Sequence, residues 1–340
     1  MMAEEMYEKG DRRLRDSQGR RIDYLRISVT DRCNLRCLYC MPEAGVEWKP
    51  HGELLSFEEL IRCCRVMADL GIRKIKVSGG EPLLRREIAV FIAGLKTIPG
   101  IEQVTMTTNG ILLGEELGGL AEAGLDGVNI SLDTLDPGTF RRLTHRDGLE
   151  KILRAIVEAR ASGLPVKINC VPLRGINDHE LTAIAALAKD RPTAVRFIEL
   201  MPLGSAETFE PLTGRETAAL LETRYGKLVP HEGKMGNGPA EYFTLEGFTG
   251  AIGFINPLSR GFCESCNRLR ISSLGFLKPC LSSNLGLNLK ALLRSGAGDG
   301  DLKAAILDIV FRKPAHHCFS EVYGKRRVEG PVEEMFRIGG

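Results

Sequence analysis

The chain has 340 residues, 43% of them hydrophobic and 26% charged, with a formal net charge of +2. That length points to about two domains, and so small a net charge excludes the broad basic field of a dedicated nucleic-acid binder while leaving room for a local basic pocket. No apolar run reaches the roughly 18 residues of a membrane helix, and the charged first twenty residues lack the apolar core of a secretory signal. The 10 cysteines therefore belong in a reducing cytoplasm, where cysteine groups read as metal or catalytic sites rather than disulfides.

Residues 1–13 are polar and read as a flexible terminus. From residue 14 to about 204 a repeat runs along the chain. Strand-like apolar runs occur at Leu25–Val29, Lys74–Ser78, Val104–Thr107, Gly127–Ser131, Val166–Val171 and Ala194–Glu199. Helical patterns lie between them at Phe57–Leu70, Ile88–Lys96, Glu115–Ala123, Leu149–Ala161 and Asp178–Lys189. Ser56 with Glu59 forms a capping box for the first helix. Strands alternating with helices imply an α/β fold with a parallel sheet and right-handed crossovers. Six units are too few for a closed eight-stranded barrel, and the first turn carries cysteines instead of a glycine fingerprint. A partial (β/α)6 barrel fits, with its site at the carboxyl ends of the strands. Residues 205–340 form a C-terminal region with its own cysteine group.

Cys33, Cys37 and Cys40 follow the first strand in CxxxCxxC spacing. Three thiolates can hold three irons of a 4Fe–4S cubane and leave the fourth open, the arrangement of a metal site that acts on a small molecule. Buried structural thiols, or half of a zinc site, are the plainer readings of such a motif. Gly79-Gly80-Glu81-Pro82 closes the second strand, where the glycines allow the backbone close to a ligand. Cys263, Cys266 and Cys280 form a second trio beside Arg268 and Arg270. This trio reads either as a second cluster with an open iron or as a zinc site completed by Cys318, His316 or His317. Arginine forks suit phosphate. Cys63, Cys64 and Cys170 read as core packing, and His145 as part of a surface loop.

These motifs resemble the radical S-adenosylmethionine (SAM) enzymes, and more narrowly the GTP 3′,8-cyclase family of molybdenum cofactor biosynthesis. The resemblance runs from about Leu14 to Gly340. It is carried by Gly19-Arg20, the stretch Tyr24–Cys37, the second group Cys263, Cys266, Asn267, Arg268, Leu269, Arg270 and Cys280, and the terminal Gly339-Gly340. It implies a radical SAM barrel with a C-terminal extension carrying a second Fe–S cluster. Cys33, Cys37 and Cys40 would hold the SAM-binding cluster, with Tyr39, Gly80, Ser131 and Met201 lining the SAM site. Cys263, Cys266 and Cys280 would hold the second cluster against the guanine of GTP. Arg26, Lys76, Thr107, Lys167, Arg268, Leu269 and Arg270 fall on GTP-contacting positions, and Arg196 is added because it lies on the sixth strand. Arg268, Arg270, Gly339 and Gly340 would act in catalysis, the glycine pair as an arm reaching the site.

The implied reaction cleaves SAM to methionine and a 5′-deoxyadenosyl radical, which removes the C3′ hydrogen of GTP so that C3′ joins C8. The implied partners are an external one-electron donor of flavodoxin or ferredoxin type, the downstream cyclic pyranopterin monophosphate synthase and a second copy of the chain. No nucleic acid and no membrane are expected. Two rivals stand beside this reading. A radical SAM enzyme modifying peptide or tRNA would lack triphosphate-binding cations, and a zinc-dependent scaffold or nucleic-acid adaptor would carry zinc without iron.

Overall fold

The computed structural model describes residues 14–42, 46–233, 235–317, 319 and 335–339. The expected flexible terminus 1–13, Cys318 and Gly340 lie outside the described residues. Six parallel strands stand side by side in chain order: β1 Tyr24–Ser28, β2 Lys74–Ser78, β3 Gln103–Thr108, β4 Val128–Ser131, β5 Val166–Cys170 and β6 Ala194–Ile198. The crossovers carry α1 Phe57–Leu70, α2 Ile88–Lys96, α3 Leu113–Glu122, α4 Pro137–Thr144, α5 Leu149–Ala161 and the short α6 Leu181–Ala185.

Two of these helices depart from the sequence reading. Helix α4 has only 8 residues, too few for an apolar period to emerge, yet its start signals are present: Pro137 opens it and Asp136 accepts the Thr139 N–H. The expected helix Asp178–Lys189 breaks into 3-10, α and 3-10 turns. The Ser56–Glu59 capping box forms as read, with Glu59 N–H donating to Ser56 Oγ at 3.2 Å and Ser56 N–H to Glu59 Oε2 at 2.7 Å.

The C-terminal region adds α7 Gly214–Tyr225, β7 Val229–Pro230, β8 Glu241–Thr244, β9 Ala251–Ile255, β10 Arg268–Ile271, β11 Phe276–Lys278, β12 Leu287–Asn288, α8 Leu289–Arg294, α9 Asp299–Phe311 and α10 Met335–Ile338. Its strands enlarge the sheet beyond the six units. β10 lies parallel to β1 and β9 parallel to β6, so eight parallel strands stand in one row. The row stays open, because antiparallel β11 and β12 continue beyond β10 while β8 and β7 continue beyond β9. The result is a partial barrel whose two edges are covered by later strands.

Alternation along the strands separates two environments. Leu25, Ile27, Ile75, Val77 and Leu269 point outward into the core beneath the helices, where each is at most 1% exposed. The intervening residues face the barrel interior. Phe91 of α2 stacks on Phe57 of α1 at 4.5 Å between ring centroids. Phe91→Ala should cost about 3–5 kcal/mol in urea unfolding, and a loss below 1 kcal/mol would mean that the α1–α2 layer is not packed as described.

The glycine turn after β2 locks the cysteine loop in place. A Cβ on Gly80 would lie 2.4 Å from the Arg32 carbonyl oxygen. Gly80 thus permits a close approach to the backbone of the cysteine loop. Gly80 N–H donates to Thr30 O at 2.8 Å and Glu81 N–H to Arg32 O at 2.7 Å. Glu81 is fully buried and accepts from Thr108 Oγ1, Asn109 N–H and Leu83 N–H at 2.7, 2.7 and 3.1 Å. Burial outweighs those bonds and pushes its carboxyl up from 4.5 to about 7. The folded chain therefore keeps a proton that the unfolded chain releases, so this stabilising contribution is present at low pH and fades as pH rises through about 7. Glu81→Gln should flatten the dependence of unfolding free energy on pH between 4.5 and 7; an unchanged slope would sink the buried-carboxylate account.

Candidate functional site

Cys33, Cys37 and Cys40 sit on the loop that leaves β1 and are half-buried. Two backbone bonds fasten this loop to the end of α4, Arg36 N–H to Thr144 O and Leu38 N–H to Leu143 O, both 2.9 Å. The three thiols line one cavity together with Tyr39, Gly80, Ser131 and Met201, so the structure gathers the whole sequence-derived set. Burial, reinforced by the Glu81 charge, pushes the Cys33 thiol up to about 11. Cys37 is raised well above its ordinary value by burial first and then by Cys40 and Cys33. Thiolates here repel one another and lack solvent, so a cationic metal group is what would stabilise them. Among the described residues no group of three His, Cys, Asp or Glu side chains is arranged to hold a single metal ion. A cubane is larger than one ion and needs only cysteines at its corners, which is the donor set present.

Asp133, just beyond β4, was not anticipated. Tyr39 Oη donates to its Oδ2 at 2.5 Å and Val171 N–H to its Oδ1 at 2.8 Å, while burial pushes its carboxyl up to about 6. It anchors Tyr39 between Cys37 and Cys40. Its only sequence signal was a polar residue two positions after a strand end.

A second cavity adjoins the first. Arg26, Lys76, Arg196, Arg268, Arg270 and Lys313 line it, with no carboxylate among the described lining residues. Cys263, Cys266 and Cys280 are in its wall. Strand register makes the charge arrangement specific: Arg26 of β1 is the direct partner of Arg270 of β10 on one side and of Lys76 of β2 on the other. Like charges in such positions oppose pairing. Burial, then Arg196 and Arg26, depress Lys76 well below its usual value. Burial, countered in part by Tyr24, brings Arg26 down to about 10, and burial followed by Arg26 and Arg268 depresses Arg270 strongly. Lys313, which no motif signalled, follows α9 and donates to the carbonyls of Arg268, at 2.9 Å, and Pro279. Burial works against the Cys266 thiolate, but Arg268 and Lys313 outweigh it and bring the thiol down to about 7.

Thr107, Asn169, Ile198, Met201 and Met335 belong to both linings, so the two cavities share a wall inside the barrel. Gly339 enters from the C-terminal side. Arg270 Nη1 donates to its carbonyl at 2.7 Å, its φ is +76°, and a Cβ there would lie 2.2 Å from Ser78 Oγ. Two expected residues stand apart. The Leu269 side chain is buried in the outer core. Lys167 is absent from the described cavity lining and donates instead to the Met235 carbonyl, with burial bringing it down to about 8. Cys63, Cys64 and Cys170 are fully buried in the core and line neither cavity, and His145 is the left-handed C-cap of α4 at φ +53°.

The sequence pattern of the Radical SAM superfamily matches residues 27–188, and that of Molybdenum Cofactor Synthesis C matches residues 193–319. Streptococcus suis SuiB, solved bound to S-adenosylmethionine, shares the fold with a TM-score of 0.61 at 15% identity, over 92% of this chain and 76% of that one. The GTP 3′,8-cyclase of Pelotomaculum thermopropionicum is 43% identical over 331 residues, covering 96% of this chain and all of the relative. That of Heliobacterium modesticaldum is 45% identical over 330 residues, covering 96% of this chain and 99% of the relative. With both trios, both cavities and near-complete coverage in agreement, the chain belongs to the GTP 3′,8-cyclase family of radical SAM enzymes.

Proposed function

We propose that this chain cyclises GTP to 3′,8-cyclo-7,8-dihydroguanosine 5′-triphosphate, the first step of molybdenum cofactor biosynthesis, using SAM and two 4Fe–4S clusters. The observation that carries the substrate is the row Arg270–Arg26–Lys76, register partners on adjacent strands with Arg270 and Lys76 buried and Arg26 half-buried, and no carboxylate in the described lining. A cluster of like charges in a largely buried wall favours a polyanionic ligand, and a triphosphate is one. The same row disfavours a peptide as substrate.

When bound, the first cluster, which Cys33, Cys37 and Cys40 would hold, would supply one electron to cleave SAM to methionine and a 5′-deoxyadenosyl radical, which would become 5′-deoxyadenosine by taking the C3′ hydrogen of GTP. The protein's part is placement and exclusion of water. Tyr39, Gly80, Ser131 and Met201 would hold SAM in the first cavity. Arg26, Lys76, Arg196, Arg268 and Arg270 would hold GTP in the second, with Thr107 on the shared wall between the two. Lys167 would join by releasing Met235, and Leu269 through its backbone alone. Cys263, Cys266 and Cys280 would hold the second cluster, and the lowered Cys266 thiol favours the ligating thiolate. Arg270 and Gly339 would act as a unit, and the Gly339-Gly340 arm would close the site. In this reading residues 14–204 bind SAM while residues 205–340 bring the second cluster and cover GTP. A flavodoxin- or ferredoxin-type donor would supply the electron, the cyclic pyranopterin monophosphate synthase would consume the product, and the enzyme would work in the cytoplasm as a homodimer.

The test is anaerobic reconstitution followed by SAM, dithionite and GTP, with 5′-deoxyadenosine and the cyclised nucleotide quantified by mass spectrometry. GTP-dependent formation of both is expected; deoxyadenosine without cyclised nucleotide would overturn the substrate. Arg270→Ala removes a charge-assisted hydrogen bond and should weaken GTP binding roughly 10- to 100-fold, while SAM cleavage without GTP persists. Wild-type cyclisation by that variant would remove the role given to Arg270. Gly339→Ala should lower cyclisation while both clusters are retained, because the added methyl collides with Ser78; full activity would show that the tail is dispensable.

A further inference from the structure

The segment before β1 forms a small folded unit. Ile22 N–H donates to Leu14 O at 2.8 Å, and Arg15 bridges to Arg21. Asp16, completely buried, closes the turn. Its Oδ1 accepts the N–H groups of Gln18 and Arg20 at 3.0 Å each, and its Oδ2 accepts Arg20 Nε at 2.6 Å. This fixes the Arg20 guanidinium, whose remaining nitrogens reach out of the turn. Nη1 donates to the carbonyls of Cys263 and Ala315 at 2.8 and 3.0 Å, and Nη2 to that of Pro314 at 2.7 Å.

The Cys263 carbonyl opens the loop that carries two thiols of the second trio, and the Pro314 and Ala315 carbonyls belong to the segment 313–317 beside it. Lys313 charges the surroundings of Cys266 and Cys280, and the His317 backbone bonds the Cys263 sulfur. Asp23 grips the other end of the same loop. It accepts Asn267 Nδ2 at 2.7 Å, and the N–H groups of Asp23 and Tyr24 both donate to the Asn267 carbonyl at 3.2 Å. The Cys263–Asn267 loop is thus bracketed by residues of the N-terminal segment, across some 240 positions of sequence.

We propose that Arg20, oriented by Asp16, is a positioning residue for the second thiolate trio, fixing the Cys263 backbone and residues 313–317 in the one arrangement that a cluster can enter. The inference rests on the reading of that trio as a cluster site. A planar fork aimed at three carbonyls does what the single ammonium of lysine cannot. Partners of this kind, which orient the ligands without touching the metal, are worth about 10- to 100-fold in metal retention.

The experiment compares wild type, Arg20→Lys and Arg20→Ala in the full reconstituted chain. Each site is loaded alone by Cys→Ala replacement of the other trio, and iron release to a chelator is followed by electron paramagnetic resonance. Both variants should lose iron from the second trio at least about tenfold faster, while release from the first trio stays at the wild-type rate. Amide hydrogen exchange at 263–266 and 313–317 should rise in the same variants before any metal is added. Unchanged retention and unchanged exchange in Arg20→Ala would overturn the proposal. So would equal losses from both trios in Arg20→Lys, which would make Arg20 a general folding contact. If the wild-type second trio takes up no iron at all, the cluster reading fails by itself, and hydrogen exchange still decides whether Arg20 clamps the two segments.

Discussion

Three cations shoulder to shoulder, two of them buried and the third half-buried, are the constraint around which the molecule is arranged. Arg270, Arg26 and Lys76 occupy matched positions on adjacent strands, and nothing in the described lining carries the opposite charge. Such a row works against folding, so the scaffold that carries it must be over-determined. The outward faces of the same strands supply that surplus: Leu269, Leu25 and Ile75 alternate with or adjoin the cations and are completely or almost completely buried. Each strand thus presents apolar side chains to the helices and charged ones to the interior, and the stability of the first face sustains the second.

The two cavities divide the chemistry by environment. Around the first trio, burial and mutual repulsion disfavour bare thiolates. Around the second, Arg268 and Lys313 favour the Cys266 thiolate against burial. Arg268, which lines the cation-rich cavity, therefore also conditions the neighbouring trio. The shared wall at Thr107, Asn169 and Met201 makes the two chambers direct neighbours.

Much of this was legible before any coordinates, for physical reasons. The six apolar strand runs and the capped first helix are local signals, and the two cysteine trios are set by spacing within short loops. Cations at strand ends could be read as a set, because α/β folds place ligands there. What escaped depended on distance or brevity. Helix α4 spans two turns, below the length at which periodicity speaks. Lys313 and Arg20 are ordinary residues until folding brings them to Cys266 and Cys263, and no local pattern encodes that meeting. The glycines of the β2 turn line the first cavity, and Gly80 also packs on the Arg32 backbone, a contact that no local pattern shows. Leu269 shows the limit of carrying whole motifs across: flanked by two cavity-lining arginines, its side chain still faces the opposite way.

The position of β9 and β10 has a consequence for synthesis. Strands β1 to β6 leave the ribosome as a sheet whose two outer strands, β1 and β6, both await partners encoded at least 50 residues after β6. Until those arrive, the nascent half-barrel exposes two open parallel edges and a cation-lined interior, the kind of surface that recruits foreign strands. Completion of the chain thus covers the parallel strands on both sides only late.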